Sequence, residues 1–339
     1  MRRLLTVILA LLLPVAAVAC SDMPDTTSAA GLAKPTKIKV GYMPIPDCAP
    51  LFVAIQRDYF KDEGLEVETV PVQGGGVAQP MLESGALDFA IMNYTAAILA
   101  EQSKPGVMRV VSDAYQSAPH TFKLMVRADS PIHKLQDIRR KTVAVATLKS
   151  VGTLTLQAAL EVAGLTMRDV QVKEMELPHM ILALQRRTID VAWMTEPFIT
   201  IWASQHGGRE LYELMQGRVE DWPIAGWATG GEYAERFPDR VAAFQRAMNR
   251  AQIDVETEPR LVHDLLPTYT KIPKDLAQTI KVGVFPRTLE PARIQKVADL
   301  MQEYGDTKGR VDVQRILMPL PGTAPMSPSP SATTPEPTP

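Results

Sequence analysis

The chain has little of what marks a catalyst or a stapled scaffold. Its 339 residues hold two cysteines, Cys20 and Cys48, too few for a disulfide framework or a cysteine zinc cluster. The five histidines (His120, His133, His179, His206, His263) show no HExxH and no paired metal spacing, and no GxSxG elbow is present. Aromatic residues make up 6%, which disfavours a base-stacking surface. Charge of one sign is also lacking. Lys+Arg number 36 and Asp+Glu 38, for a net charge of −2, so no electrostatic case for nucleic acid exists. What is present is 46% hydrophobic and 22% charged residues, enough for a sizeable core, in a length that fits roughly two domains.

The two ends differ from the middle. Met1-Arg2-Arg3 is basic, Leu4 to Leu13 is apolar apart from Thr6, and small residues lead to Ala19-Cys20. This reads as a secretory signal, with an apolar run too short for the ~20 residues of a membrane span. Cys20 directly after Ala19 resembles a bacterial lipoprotein signal, in which the cysteine is acylated and becomes the new N-terminus. Loss of residues 1–19 removes Arg2 and Arg3 and no acid, leaving a charge of −4. Residues 20–36 read as a flexible tether. Residues 321–339 carry seven prolines among Ser and Thr and read as a tail that cannot fold, since it lacks backbone donors and apolar bulk.

Between the ends, strand and helix patterns alternate. Lys37 to Met43 alternates polar and apolar, Ala49 to Lys61 carries apolar residues at helical spacing, and Leu65 to Val72 alternates again. Leu87 to Met92 reads as a buried strand after a short helix that contains Pro80. This order predicts a parallel sheet. It then recurs. Leu82, Asp88, Ala90 and Met92 match Leu184, Asp190, Ala192 and Met194 at an offset of 102. Gly64-Leu65 matches Gly164-Leu165 at 100, and Val40 to Tyr42 matches Val143 to Val145 at 103. Two copies of one α/β unit are expected. After Trp222 come a strand over Ile224 to Thr229 and helices over Arg240 to Ala251 and Pro291 to Tyr304.

Two open α/β lobes place their ligand beyond the carboxyl ends of their strands. The loops so marked are 44–48, 73–76 and 93–95 in the first lobe, and 147–153 and 195–197 in the second. They supply the candidate contacts Asp47, Gly74, Gly75, Asn93, Tyr94, Ser150, Gly152, Thr153 and Glu196, with Trp227 as a wall. Gly74 and Gly75 allow close backbone approach. Ser150 to Thr153 opens an apolar helix, where a cap and free N–H groups meet. A carboxylate at the cleft mouth, Glu196 or Asp47, accepts hydrogen bonds from an amine, amidine or aminopyrimidine and repels a bare anion. Glu196 also fits a helix N-terminal acid. Trp193 and Trp227 fit either pocket wall or core. Cys48 has nothing beside it in sequence to activate it.

Ala49-Pro50-Leu51-Phe52-Val53-Ala54-Ile55 and Tyr59 to Val67 carry a family resemblance. Gly85 to Asp88, Leu135 to Val145 and Ile189 to Pro197 extend it. The chain resembles the substrate-binding proteins of ABC importers for sulfonates, taurine, nitrate and thiamine precursors, which are related to the NMT1/THI5 proteins. The resemblance implies an α/β, periplasmic-binding-protein-like fold, with two Rossmann-like lobes, a ligand cleft and two hinge crossovers near residues 119–128 and 221–229. Lobe 1 is expected over 37–122 and 226–320, and lobe 2 over 123–225. It further implies a monomer without cofactor, metal or catalysis. Such a protein closes on a small polar organic molecule, hands it to permease subunits, and is held outside the membrane by lipid on Cys20. Glu196 favours an aminated or heterocyclic ligand, with a sulfonate such as taurine as the alternative. Arg187 stands where the motif usually has glycine. Two rival readings share the fold: a THI5-type pyrimidine synthase, which needs a lysine-bound pyridoxal phosphate and a cysteine-rich motif, and a sensor or adhesin domain.

Overall fold

Ten strands form two five-stranded sheets in a computed structural model that describes residues 35–320. The expected signal, Cys20, nearly all of the tether and the proline-rich tail lie outside the described residues. The strands are β1 (Thr36–Tyr42), β2 (Leu65–Pro71), β3 (Phe89–Asn93), β4 (Met108–Gln116), β5 (Phe122–Val126), β6 (Thr142–Val145), β7 (Gln171–Glu174), β8 (Val191–Thr195), β9 (Arg209–Glu213) and β10 (Pro223–Gly230). The first sheet has the order β2-β1-β3-β10-β4, the second β7-β6-β8-β5-β9. In each sheet three parallel strands are followed by a strand that runs antiparallel to its neighbours, β10 in the first and β5 in the second.

The expected repeat is therefore a repeat of topology, and its matched residues do matched work. Asp88 Oδ2 accepts from Lys39 N at 2.6 Å, and Asp190 Oδ2 accepts from Thr142 N at 2.9 Å. Each carboxylate secures the strand beside its own. Gly64 and Gly164 both take positive φ, at 72° and 65°, just after the helices Tyr59–Asp62 and Val151–Val162. That is the left-handed C-terminal stop that glycine adopts without a Cβ clash. Gly85 (φ 73°) and Arg187 (φ 57°) stand at equivalent turns, so the second copy keeps the turn although it carries arginine.

The chain passes between sheets at residues 117–121 and 214–222, which begin ahead of the expected crossovers and overlap their first residues. The segments Phe122–Val126 and Pro223–Gly230 are apolar enough to join the sheets. All eight residues of β10 are buried. Helix Pro238–Thr257 covers the first sheet, where Phe244 stacks on Phe89 with centroids 4.0 Å apart and Trp227 meets it edge-on at 6.1 Å. Its expected stripe of Val241, Phe244, Met248 and Ala251 is fully buried. Helix Pro291–Glu303 begins with proline, which suits a first turn whose N–H has no partner anyway. The expected helix over Ala49 to Lys61 is broken at Asp58, which is left-handed (φ 58°), into Ala49–Gln56 and Tyr59–Asp62. Pro80 lies inside helix Gly75–Glu83, beyond its first turn.

Candidate functional site

The carboxyl ends of the parallel strands in the two sheets face one another across a cavity. The first lobe supplies Met43, Ile45 and Asp47 after β1, Gln73 to Gly75 after β2, and Ile91 to Asn93 at the end of β3. The second supplies Ala146, Thr147, Ser150 and Val151 after β6, and Trp193 and Thr195 from β8. Phe122, Ile224 and Ala225 also line it. Reasoning from strand ends alone misses these three. β5 and β10 run antiparallel, so their first residues, not their last, reach the cleft. Leu177, the first residue of the helix after β7, is a further lining residue without a sequence signal.

The cavity measures about 60 Å³. A cavity known to hold benzene measures about 150 Å³, well over twice this one, so a ring enters only when the lobes part. They meet at Gly74, where a Cβ would lie 3.5 Å from Thr147 Oγ1. The walls are apolar and partly aromatic. Phe122 and Trp193 lie with centroids 5.4 Å apart, and Trp193 Nε1 donates to Thr155 Oγ1 at 2.9 Å, which fixes the indole. No lysine or arginine lines the cavity.

Its polar groups are few. Asp47 is 3% exposed, and its Oδ1 has no hydrogen-bond partner. Burial pushes its carboxyl up to about 7, because an ion in a low dielectric loses its hydration. Asn93 Oδ1 accepts from Ala96 N at 2.8 Å and Thr95 Oγ1 at 2.6 Å. That oxygen caps the helix Tyr94–Ser103, leaving the amide NH2 to meet a ligand. Ser150 Oγ donates to Thr147 O at 2.8 Å and accepts from Thr153 N in a capping box, which leaves it one lone pair as an acceptor.

Of the ten expected contacts, the structure brings Asp47, Gly74, Gly75, Asn93 and Ser150 together around this cavity, and the other five do not line it. Gly152 packs under Trp193, where a Cβ would lie 3.6 Å from the indole. The Thr153 hydroxyl is taken up by Ser150, accepting from its N at 3.0 Å and donating to its O at 2.9 Å. Tyr94 and Trp227 are fully buried, and a Cβ on Gly226 would lie 3.1 Å from the Tyr94 hydroxyl. Glu196 accepts from Thr200 N at 3.1 Å, Thr200 Oγ1 at 2.8 Å and Lys281 N at 3.4 Å. Burial raises its pKa and these bonds hold the rise down. It serves as a helix N-terminal acid and a tie to the segment around Lys281. Cys48 is a free, fully buried thiol outside the cavity lining, and burial raises its pKa well above the ordinary range, which leaves it protonated and unreactive.

Among the described residues no group of His, Cys, Asp and Glu is placed to hold a metal ion, and no helix is long and apolar enough to cross a membrane.

The sequence profile described as NMT1/THI5 like matches residues 45–260, well over half of the chain. The chain belongs to the NMT1/THI5-like family. Two relatives are similar along most of their length. The riboflavin-binding protein RibY of Chloroflexus aurantiacus is 25% identical over 78% of this chain and 78% of its own. The taurine-binding periplasmic protein of Escherichia coli K12 is 24% identical over the same shares. The fold matches that of the alkanesulfonate-binding protein SsuA from Xanthomonas axonopodis pv. citri, solved with MOPS bound. The TM-score is 0.71 at 17% identity, over 85% of this chain and 99% of that one. All three are binding proteins by name, and this chain has the α/β periplasmic-binding-protein fold.

Proposed function

We propose that this chain is an extracytoplasmic solute receptor of an ABC importer, and that it captures a small planar heterocycle bearing N–H donors, of the aminopyrimidine or flavin type. The carrying observation is Asp47, a buried carboxylate with an unpartnered oxygen beside an aromatic-walled cavity that has no cationic lining. A sulfonate or nitrate needs donors and positive charge where this cavity offers an acid, and each buried anion left unpaired is penalised. A ring N–H or amino group donating to Asp47 gives a charge-assisted bond, and Phe122 and Trp193 cover the ring faces. Riboflavin binding by one relative agrees with this chemistry, and taurine binding by the other is the alternative that the calorimetry below tests. Acylation of Cys20 would tether the receptor, and labelling with a radioactive fatty acid tests that part separately.

Calorimetry with an aminopyrimidine, riboflavin, taurine and an alkanesulfonate tests the ligand class. The heterocycles should bind and the sulfonates should not, and Asp47→Asn should weaken heterocycle binding about tenfold or more, the range of one hydrogen bond to a charged group. Tighter binding of a sulfonate would sink the proposal.

A further inference from the structure

A second, larger space opens at the mouth of the cavity. It is a groove of about 640 Å³ lined by Gln73, Gly74, Gly76 and Val77 from the first lobe and by Ala146, Thr147, Glu174, Met175, Glu176 and His179 from the second. Gln73, Gly74, Ala146 and Thr147 line both spaces, so the groove and the cavity lie on either side of the Gly74–Thr147 contact and join when the lobes part. Asp47 lines the cavity side. The cavity alone holds about 60 Å³, well under the ~300 Å³ at which small-molecule pockets begin. A ring seated beside Asp47 therefore needs the lobes apart, and its substituents then run outward into the groove.

The groove has its own chemistry. Glu174 and Glu176 face it, and no lysine or arginine does. Glu174 Oε2 accepts from Leu148 N at 2.8 Å, which holds that carboxylate at the rim. Glu176 lies 3.7 Å from His179 Nδ1. Val77, nearly half exposed, and Met175 supply apolar surface on the two sides. Such walls suit the carbon chain of a substituent whose end is hydroxylated or cationic, and they oppose an end that carries negative charge.

Resting on the heterocycle reading above, we infer that this groove is a second subsite that holds the ligand's tail and rejects ligands whose tail ends in phosphate. The receptor then takes the dephosphorylated form of its ligand. Glu174 and Glu176 are the residues that set this preference, and Asp47 the one that holds the head.

The test uses two probe series in low-salt buffer, where surface charge is least screened. One is an aminopyrimidine alcohol, thiamine and thiamine monophosphate; the other is lumichrome, riboflavin and flavin mononucleotide. In at least one series the phosphorylated probe should bind at least about tenfold more weakly than its unphosphorylated partner, as like-charge juxtaposition requires. The double variant Glu174→Gln, Glu176→Gln should close most of that gap and leave the affinity of the bare ring unchanged. The glutamines keep an acceptor for Leu148 N, so the fold is retained. Ring binding without discrimination against phosphate, or a gap that survives the double variant, overturns the tail subsite alone. Failure of every ring probe on the wild type, or ring affinities that Asp47→Asn leaves unchanged, overturns the heterocycle reading and the tail subsite with it.

Discussion

At Asp47 the chemistry of the site and the stability of the protein are the same question. Burial pushes its carboxyl up to about 7 in the fold, from an ordinary value of 3.8. Between those values the folded state holds a proton that the unfolded chain releases, so folding is favoured while the acid is neutral. The stability tied to this residue is complete below pH 4 and is lost as pH rises through about 7, by an amount on the order of a few kcal/mol. Urea unfolding of wild type and Asp47→Asn from pH 4 to 8 should therefore show the difference between them moving in favour of asparagine as pH rises. A difference independent of pH would place the carboxyl elsewhere than in a dry pocket. A donor ligand reverses the preference, because the ionised form accepts its N–H best. Calorimetry at pH 6 in two buffers of different protonation enthalpy should report proton release on binding by wild type and none by the variant. Sequence alone named Asp47 but gave greater weight to Glu196. Both carboxylates follow strands or stand in their loops, and no pattern of residue types says that Glu196 turns back to Thr200 while Asp47 leaves Oδ1 without a partner.

Turns and strands were more legible than side-chain direction. The Asp88/Asp190 and Gly64/Gly164 matches marked real equivalences, because a backbone turn or strand-edge bond leaves the same residue type in both copies. Phe122, Ile224 and Leu177 had no such mark, since they reach the cavity only through antiparallel pairing and a helix start. Arg187 is the place where the second copy breaks its own rule. It holds φ at 57°, a conformation that disfavours a residue with Cβ by about 1 kcal/mol. Its ion pair with Asp129 is on the surface and contributes little. In an Asp129→Ala background, Arg187→Gly should raise stability by about 0.5–1 kcal/mol, seen as a higher urea midpoint with an unchanged slope. A lower midpoint would mean the arginine has a packing role. A second element-scale feature joins the lobes away from the cavity. Glu161, near the end of the helix that Ser150 opens, accepts from Tyr304 Oη at 2.8 Å and pairs with Arg218 at 3.3 Å, and Arg218 also pairs with Glu303 beside Tyr304. These groups are about half exposed, so each pair contributes at most about 1 kcal/mol. Arg218→Ala should weaken ligand binding about two- to fivefold, mostly through faster dissociation, and high salt should shrink that difference.

Across the whole molecule, two sheets of one topology joined by two short crossovers make a device that works by the spacing of its lobes. The repeat offsets near 102 residues disclosed the two copies, and the rule that ligands sit beyond the carboxyl ends of parallel strands placed the cleft between them. The degree of closure is not written in local patterning, because it depends on contacts between residues far apart in the chain. Here the lobes meet at Gly74 and Thr147, and Thr147 also comes within reach of Gly76, whose Cβ would lie 3.8 Å from its Cγ2. The two glycines leave room on one side for a single β-branched residue on the other. Ligand binding has to draw the lobes together around a cavity larger than the 60 Å³ seen here, which it can do only by touching both lobes. Thr147→Phe puts a ring into the seam without entering the core of either lobe, since Thr147 is half-buried at a loop. Thermal unfolding without ligand should then stay within about 2 °C of wild type, the shift expected of a surface substitution worth at most about 0.5 kcal/mol. Scattering in the presence of a heterocyclic ligand should give a larger radius of gyration than wild type, and affinity should fall at least tenfold. Thr147→Ser, which adds no bulk, should retain wild-type binding. If Thr147→Phe closes and binds as wild type does, the Gly74–Thr147 contact is not where the lobes meet in the liganded state, and the path from cavity to groove must run elsewhere.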